Sequence, residues 1–405
     1  MKKEMIFKFD NSLINKKYIL QQGKKLVPLI SEIKNSLNYE YNTDYAFLHS
    51  LLDKKLLQKI EKLTKKHKKI KNILIIGIGG SNLGTIALSE AIKGKLNNQI
   101  NNKKIYFADT TDPDYLNSII KILKNKSILV NIITKSGTTI ETIANFEAII
   151  KYLKINKKYI IVTTDYNSTL YHLAKKKKFT VLEIPKNIGG RYSVFSVVSL
   201  FPLSLLDIKI KELINGALDI QRKCLNGNII KNQAAISAII LFLKRKPIYD
   251  NFFFSNDLES LGKWYKQLLA ESIGKNGKGI TPIVSIGSTD LHSMYQLNLD
   301  GPRDKFTTFI IINRFNSEIT MNSKNFKTKK FSLILNKIAK AVKLTYKKKN
   351  LPFTEIILQD KSEYSLGQFL QFKMFETIYL AKLMNVNPFD QPAVELYKEE
   401  VKKLI

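Results

Sequence analysis

The sequence predicts an α/β protein of two stacked three-layer αβα domains, each with a mainly parallel sheet. The chain has 405 residues, which is more than one hydrophobic core usually serves. From Asn72 onward, short apolar runs alternate with amphipathic stretches, a pattern typical of a parallel sheet with covering helices. A second series begins after about Leu205. We therefore expect a helical segment over residues 1–70, a first domain over 71–205 and a second over 206–405.

Each predicted domain has its own strands. Residues 1–70 lack the strand rhythm, so we expect them to be mainly helical and to pack on the second domain. The strands predicted for the first domain are Ile73–Ile76, Ile105–Ala108, Ile128–Ile133, Tyr159–Val162 and Val181–Ile184. Those predicted for the second domain are Phe252–Phe254, Ile283–Ile286, Phe306–Ile312 and Ile356–Leu358. The clearest helical patterns are Asp257–Ala270, Ser365–Met384 and Ala393–Leu404.

The strongly basic composition raises the question of a nucleic-acid partner. Sixty-six Lys and Arg residues against 34 Asp and Glu give a formal net charge of +32, and basic clusters neutralise phosphates. The lysines are spread over the whole chain, however, and their runs lack interleaved aromatic residues or a recognition motif. We expect solvated faces and no nucleic-acid partner, and salt-dependent binding to unrelated duplexes would reveal the alternative. The charge also favours an anionic substrate through long-range steering.

The sequence contains no pattern typical of a membrane helix, a signal peptide or a metal site. No window approaches the roughly 20 unbroken apolar residues of a membrane helix, and Glu4 and Asp10 interrupt the basic N-terminus before a signal-peptide core could form. A single cysteine, Cys224, forms no internal disulfide. The four histidines are scattered, without an HExxH motif. We expect a cytoplasmic protein with no membrane partner, no metal and no cofactor.

The first candidate site follows the strand Ile73–Ile76. Its turn, Gly77-Ile78-Gly79-Gly80-Ser81-Asn82-Leu83-Gly84, opens a helical pattern that runs through Ala91. Glycines let backbone N–H groups approach an anion, and a helix N-terminus adds partial positive charge, so the turn suits a phosphate. The alternative is a dinucleotide-binding fold with Asp109 as the ribose ligand, but Asn82 stands where the last glycine of that fingerprint belongs.

The second candidate site follows the strand Ile128–Ile133. Its turn is Thr134-Lys135-Ser136-Gly137-Thr138-Thr139-Ile140-Glu141, and the helix that follows continues to about Ile150. Helix capping uses one side-chain oxygen, whereas this turn offers four hydroxyls and a lysine, enough to surround a dianion. An ordinary Ser/Thr turn with a cap is the structural alternative. Both turns would lie at the carboxyl edge of one parallel sheet, where such folds bind their ligands.

Four further segments are rich in chemically competent side chains. They are Gly189-Gly190-Arg191-Tyr192-Ser193, Gln267 to Lys275 (QLLAESIGK), Thr289 to Met294 (TDLHSM) and Asn387 to Lys398 (NPFDQPAVELYK). With the two turns, and in the same order from about residue 45 to the end, they resemble the glucose-6-phosphate isomerase family, whose domains are of the sugar-isomerase type. With Gly137 in its second turn, the chain resembles the shorter bacterial type of this family. The resemblance implies cofactor-free, reversible conversion of glucose 6-phosphate to fructose 6-phosphate, a step of glycolysis and gluconeogenesis.

The resemblance also implies a set of substrate-binding residues. Thr134 stands where serine is commoner, which keeps a hydroxyl, and Ala393 replaces a frequent glycine. The residues at positions that would bind the phosphate or line the sugar are Gly80, Ser81, Thr134, Lys135, Ser136, Thr139, Gln267 and Gln391.

Four residues match the catalytic positions of the family. Glu271 would be the base that moves the proton, and one carboxylate can both remove and return it; without the resemblance, a solvated helix-end glutamate is the plainer interpretation. Arg191 would steady the enediolate with a permanent charge; an arginine after Gly-Gly is otherwise most often a surface ion-pair partner. His292 and Lys398 would open the sugar ring, and His292 is the one histidine of the four that lies in a motif.

The family resemblance further implies a homodimer with a shared active site, in which His292 reaches the other subunit. Two alternatives stay open from the sequence. A non-catalytic sugar-phosphate-binding protein would keep both turns but need neither Glu271 nor Arg191. An NAD-dependent dehydrogenase would bind nicotinamide and keep an intact glycine fingerprint.

Overall fold

Two five-stranded sheets organise the computed structural model, which describes residues 4–322, 324, 325 and 327–405. The strands are β1 (Ile6–Lys8), β2 (Asn72–Ile76), β3 (Lys104–Ala108), β4 (Ile128–Ile133), β5 (Ile160–Asp165), β6 (Thr180–Ile184), β7 (Ile248–Phe253), β8 (Thr281–Ile286), β9 (Lys305–Ile312) and β10 (Phe353–Leu358). All pairings but one are parallel. The predicted α/β class with mainly parallel sheets is confirmed.

Helices cover both sheets. Their bounds are α1 (Lys16–Gly23), α2 (Val27–Ser36), α3 (Ala46–His49), α4 (Lys54–Lys66), α5 (Leu83–Lys93), α6 (Asn97–Ile100), α7 (Pro113–Leu123), α8 (Ile140–Leu153), α9 (Thr169–Lys177), α10 (Val197–Leu205), α11 (Ile210–Cys224), α12 (Gln233–Lys244), α13 (Glu259–Ile273), α14 (Tyr295–Asp300), α15 (Phe331–Lys348), α16 (Glu363–Met384) and α17 (Pro392–Leu404). In the part of the chain that the structure describes, no helix is long and apolar enough to cross a membrane.

The first sheet has the strand order β3-β2-β4-β5-β6, and every pair is parallel. Its central strands are continuous apolar runs because helices bury both faces; Ile73 to Ile76 of β2 are fully buried. The chain leaves β2 toward one side, to β3, and then returns to the other side, to β4. A crevice therefore opens between the carboxyl ends of β2 and β4, the place where folds of this kind bind ligands.

The second sheet repeats the order of the first four strands, and β1 takes the edge position that β6 has in the first sheet. Its order is β8-β7-β9-β10-β1, and β1 pairs antiparallel with β10. The expectation that residues 1–70 are mainly helical thus missed one strand. β1 has only three residues, and only Phe7 among them is buried, so its alternation is too short to stand out from the sequence. The predicted start of β5 was also one residue early, because Tyr159 closes a 3-10 turn.

Helix α16 lies at the centre of the second half and is buried over most of its length. It packs against α11, α12 and α13. Within it, Lys373 and Glu376 are both fully buried and pair at 2.8 Å. Lys373 also donates to the Tyr249 hydroxyl at 3.0 Å, and the Tyr265 hydroxyl of α13 donates to Glu376. A buried ion pair is tolerated only when further hydrogen bonds satisfy it, and these bonds fix α13, the helix that bears Glu271, against the core.

Candidate active site

A cleft of about 390 Å³ lies at the carboxyl edge of the first sheet. Because β2 and β4 are neighbours, the turn after one faces the turn after the other across the crevice. Eight predicted site residues line this cleft, namely Gly80, Ser81, Thr134, Lys135, Ser136, Thr139, Gln391 and Lys398. The two turns that were predicted to share one sheet edge are thus the two walls of one cleft.

The first turn is packed against the loop that carries Arg191. A Cβ atom on Gly80 would lie 2.2 Å from the carbonyl carbon of Gly190, far inside van der Waals contact. The Ser193 hydroxyl donates to the Gly80 carbonyl oxygen at 3.1 Å. Gly80 is therefore required for a close approach of two backbones, and its N–H and Ser81 are held at a fixed place beside Gly190.

The second turn keeps its hydroxyls at the cleft. In the described turn, Thr139 is the N-cap of α8, yet its side chain makes no capping hydrogen bond. Its Oγ1 lies 2.9 Å from Oγ1 of Thr134 instead, while Ser136 Oγ accepts from the N–H of Thr138 at 3.3 Å. Ser136 therefore forms a Ser/Thr turn, as the structural alternative expects, but the ordinary side-chain cap of that alternative is absent from this turn, whose residues are all described. Its hydroxyls are arranged beside a helix N-terminus, which is suited to an anion.

Lys135 supplies the cationic group of this wall. Burial lowers the pKa of its ammonium, while the carboxylate of Asp165 opposes that effect by favouring the charged form. Asp165 itself lines the cleft and was missed by the sequence interpretation. It closes β5, the neighbour of β4, so its place at the same edge follows from the strand order once that order is known.

Arg191 is buried and joins the cleft to the rest of the site. Only 3% of it is exposed, so the surface ion-pair interpretation does not apply. All five of its N–H donors are used. Nε donates to Ser272 Oγ at 2.9 Å, Nη1 to Gln391 Oε1 at 2.6 Å and to Glu271 Oε2 at 3.4 Å, and Nη2 to the carbonyl oxygens of Pro388 at 2.6 Å and Asp390 at 2.8 Å.

Glu271 lies in the last turn of α13, which ends at Ile273. One carboxylate oxygen accepts from Gln267 Nε2 at 2.8 Å, and the other accepts from Arg191 at 3.4 Å. Gln267 and Glu271 are four residues apart and share one helix face, whereas Tyr265, Leu268 and Leu269 are buried in the core. The carboxylate side chain is 30% exposed, so it is oriented by two donors yet open to a ligand.

The C-terminal helix α17 forms the outer wall of the cleft. Its Lys398 pairs with Glu395 at 2.7 Å on the exposed helix surface. None of the residues of α17, all of which the structure describes, is buried. The helix is held at its start by Arg191, which binds Gln391 and the two preceding carbonyl groups.

His292 is the one predicted site residue that the structure does not bring to this cleft. It ends an exposed 3-10 turn, Thr289–His292, which follows β8 of the second sheet. Asp290 fixes this turn, because its carboxylate accepts from the N–H of Ile286 and from the hydroxyl of Ser293, each at 2.7 Å. The remaining eleven residues either line the cleft or are joined to it through Arg191, Glu271 and Gln267.

Several parts of the site were not visible in the sequence. Ser272 gave no signal of its own, although it follows Glu271 directly, and the Pro388 and Asp390 contacts come from backbone oxygens. Reasoning from side-chain chemistry cannot find a carbonyl acceptor. The Asp109 carboxylate, the ribose ligand of the dinucleotide alternative, accepts from Asn82 Nδ2 at 3.1 Å. The residue that breaks the glycine fingerprint thus also engages that carboxylate.

A larger cleft of about 480 Å³ lies at the carboxyl edge of the second sheet. Two cations line it, Lys209 and Arg314, and Arg314 is paired with Asp360 at 2.7 Å. Asp360 also accepts from the hydroxyls of Ser362 and Ser365, and Glu212 and Glu363 lie beside it. The smaller cleft also contains three carboxylates, but three lysines, Lys135, Lys398 and Lys402, line it with the hydroxyls of the second turn. The larger cleft has only two cations for its three carboxylates. Because positive charge and hydroxyl donors favour an anion, the smaller cleft is the better phosphate site.

Gly80→Ala tests the packing of the first turn against the Arg191 loop. The added methyl group would overlap the Gly190 backbone, so we expect the free energy of unfolding to fall by roughly 1–3 kcal/mol, the usual range for overpacking, with loss of sugar-phosphate binding. The matched control is Gly227→Ala, because no atom lies within 4 Å of a Cβ atom there. Denaturant unfolding and binding titrations would measure both effects. Equal behaviour of the two variants would contradict this account of the turn.

Comparison with known proteins shows the family of this chain. A model of the phosphoglucose isomerase family matches residues 54–405. A protein of Methanococcus maripaludis described as a probable glucose-6-phosphate isomerase is 34% identical, over 98% of this chain and 94% of the relative. The glucose-6-phosphate isomerase of Methanocaldococcus jannaschii is 35% identical, over 82% of this chain and 84% of that protein.

Comparison with solved structures supports the fold described above. A hypothetical protein from Thermus thermophilus superposes with a TM-score of 0.88 at 26% identity, covering 98% of this chain and 99% of its own. A glucose-6-phosphate isomerase from Chlamydia trachomatis superposes with a TM-score of 0.87 at 19% identity, covering 100% of this chain and 89% of that chain. At this low identity the likeness supports the fold alone. The family that the sequence resembles is confirmed, and the chain belongs to the phosphoglucose isomerase family.

Proposed function

We propose that this chain interconverts glucose 6-phosphate and fructose 6-phosphate, with Glu271 as the proton-transferring base. One observation carries the proposal: a carboxylate oriented by Gln267 and Arg191 adjoins a cleft walled by two turns suited to a phosphate. A protein that only bound the sugar phosphate would need the turns but not the oriented carboxylate. The enzymatic class follows from the family; the roles of the individual residues below are our proposals.

The phosphate group would be held between the two turns. Ser81, Ser136 and Thr139 would donate from their hydroxyls, and Lys135 would supply positive charge. The phosphate takes no part in the chemistry, but the binding energy that it provides can fix the reacting carbons relative to Glu271. Because several donors share the dianion, the loss of any one of them would weaken binding only in part.

Glu271 would then move one proton between two adjacent carbons. In the forward direction its carboxylate removes the proton from C2, the C1–C2 double bond forms, and negative charge develops on the C1 oxygen. A proton then moves from the C2 hydroxyl to the C1 oxygen, and the C2 carbonyl forms as the same carboxyl group returns its proton to C1. The two donors to Glu271 orient its ionised form before the proton is removed.

Arg191 would stabilise the negative charge of the enediolate. Its guanidinium stays protonated throughout, and a fixed positive group in a buried site acts strongly on developing charge. All five donors are already occupied, so a substrate oxygen must replace one existing partner. The 3.4 Å contact to Glu271 is the longest of the five and is the one we expect to be exchanged.

Ring opening would use Lys398 and a histidine from a second subunit. Opening the ring requires a proton to leave one hydroxyl and another to reach the ring oxygen, and histidine titrates in the range needed. His292 lies outside the cleft of its own chain, which agrees with the proposal that the chain works as a cytoplasmic homodimer, each His292 reaching the site of its partner.

Glu271→Gln tests the proposed base. The amide keeps the shape of the carboxylate but cannot accept the proton, so we expect kcat to fall at least ~10²-fold, as for other positioned acid–base groups, with binding of fructose 6-phosphate nearly unchanged. Glu259→Gln, at the other end of α13, is the control and should keep wild-type kcat. A coupled assay and calorimetric titration would report the two quantities. If Glu271→Gln retained more than about a hundredth of the wild-type kcat, another residue would have to be the base.

The shared site can be tested by mixing two inactive chains. Glu271→Gln and His292→Ala chains, unfolded together and refolded, should form heterodimers in which one site carries both lesions and the other carries neither. With random association half of the dimers are mixed and half of their sites are intact, so roughly a quarter of the wild-type activity should return. Native mass spectrometry would verify that the heterodimers form. Mixed dimers as inactive as the parent chains would show that each site is built within one subunit.

A further inference from the structure

The edge of the first sheet opposite the cleft has an unusual composition. All five strands are parallel, so the segments that lead into them meet at one edge. We call these segments the basic edge, and they comprise residues 65–71, 96–104, 121–127, 151–159 and 175–179. Each of them ends a helix or connects a helix to the next strand, and together they form the face that points away from the candidate active site.

The basic edge carries eighteen lysines and not one Asp or Glu. Sixteen of these lysines are exposed; the other two, Lys103 and Lys104, are partly buried. In these segments, which the structure describes in full, Lys103 alone forms an ion pair, with Asp207 at 2.7 Å. Along the sequence the lysines are spread out, which led to the expectation of solvated faces. The fold gathers them at one sheet edge, where seventeen of the eighteen form no ion pair with any described residue.

Helix dipoles do not account for this surface. A lysine near a helix C-terminus is favoured by the dipole, and this holds equally for the second sheet, whose four parallel strands have the same order as four strands of the first. There the corresponding segments are 244–247, 274–280, 300–304 and 347–352, and they contain Asp300 and Asp304. Lys349 pairs with Asp300 at 3.1 Å, and Lys275 pairs with Asp390 at 2.6 Å. Within the described residues, the second edge thus has two Asp residues and two ion pairs among its seven lysines, whereas the basic edge has no acidic residue and one ion pair among eighteen lysines.

Large apolar side chains are exposed among these lysines. Ile100 is 73% exposed, Leu96 63%, Tyr152 60% and Ile122 45%. Single exposed apolar residues are common on protein surfaces, but here four of them lie within segments that are otherwise lysine-rich and free of acidic residues. Aliphatic side chains next to lysines are the composition of surfaces that lie at a lipid headgroup boundary.

We propose that the basic edge binds the surface of an anionic lipid bilayer, reversibly and without insertion of a helix. The lysines would interact with acidic headgroups, and Ile100, Leu96 and Tyr152 would enter the headgroup region. A nucleic acid would also attract the lysines, but its backbone offers no apolar partner for Ile100 and Leu96. The basic edge has no arginine, the residue that binds phosphates and bases in bidentate geometry. This proposal replaces the expectation of no membrane partner, and it leaves the cleft at the opposite edge open to substrate.

The experiment is cosedimentation of the full-length protein with vesicles. Vesicles of phosphatidylcholine with about 30 mol% phosphatidylglycerol should bind the protein at about 100 mM salt, whereas pure phosphatidylcholine vesicles should not, and binding should weaken as salt rises. A variant with Lys68, Lys124, Lys157 and Lys177 all changed to Glu should bind the anionic vesicles more than about a hundredfold more weakly. Its isomerase kinetics should stay those of the wild type, which also shows that it folds.

A control variant carries the same charge change elsewhere. Lys17, Lys25, Lys337 and Lys340, all exposed and outside the basic edge, are changed to Glu, and this variant should bind vesicles within about threefold of the wild type if the contact is local rather than a net-charge effect. Equal losses in the two quadruple variants would overturn the proposal. So would failure of the wild-type protein to bind the anionic vesicles.

The apolar contacts separate lipid from nucleic acid. Ile100→Ser combined with Leu96→Ser should weaken vesicle binding by about three- to tenfold, because apolar area no longer leaves water. Its affinity for a short DNA duplex of unrelated sequence should not change. If the wild-type protein bound the duplex more tightly than the vesicles, or if the double variant bound vesicles like the wild type, the basic edge would be a general polyanion site and the lipid assignment would be wrong.

Discussion

The site depends on the hydrogen bonds that the buried guanidinium of Arg191 donates. Its five donors connect three parts of the chain that lie far apart in sequence: its own loop after β6, the end of α13 through Ser272 and Glu271, and the turn before α17 through Pro388, Asp390 and Gln391. Through Gly80, which packs on Gly190, the same loop also sets the first turn. A lysine has no forked set of donors and could not make these contacts together.

This arrangement links binding and catalysis physically. The group proposed to meet the enediolate is also the group that holds α17, and hence Lys398, over the cleft. Because its four shorter hydrogen bonds hold it in place, the buried guanidinium needs little reorganisation when charge develops near it, which is the condition for strong electrostatic stabilisation. It also ties the position of the base to that of the cleft wall, because Glu271 and Gln391 share Nη1.

Much of the fold and site could be predicted from the sequence because each relevant signal is local. Buried parallel strands are continuous apolar runs, and the glycine-rich and hydroxyl-rich turns directly follow two of them, so the two walls of the cleft were predictable. What could not be predicted depends on pairing between distant segments. β1 is recognisable only beside β10, Asp165 joins the site because β5 neighbours β4, and the carbonyl acceptors of Arg191 have no side-chain signal.

The same distinction between local signals and distant pairing explains why the basic edge was not predicted from the sequence. Along the sequence, Lys68, Lys124, Lys157 and Lys177 are separate members of a general bias. Once the strand order is known, they enter one sheet edge from four connections. The family match supports the isomerisation reaction but is silent about the basic edge, whose charge is a property of this chain's own residues.

The measurement that tests the account most directly is a crystal structure of the Glu271→Gln variant with fructose 6-phosphate bound, since a protein without its base should keep the substrate intact. The account predicts the phosphate between Ser81 and the Ser136–Thr139 turn, the C1–C2 end of the sugar beside the substituted side chain at position 271, and an Arg191 nitrogen within hydrogen-bond distance of a substrate oxygen. A phosphate bound in the Arg314 cleft of the second sheet, or a sugar whose C1 and C2 lie away from position 271, would contradict it.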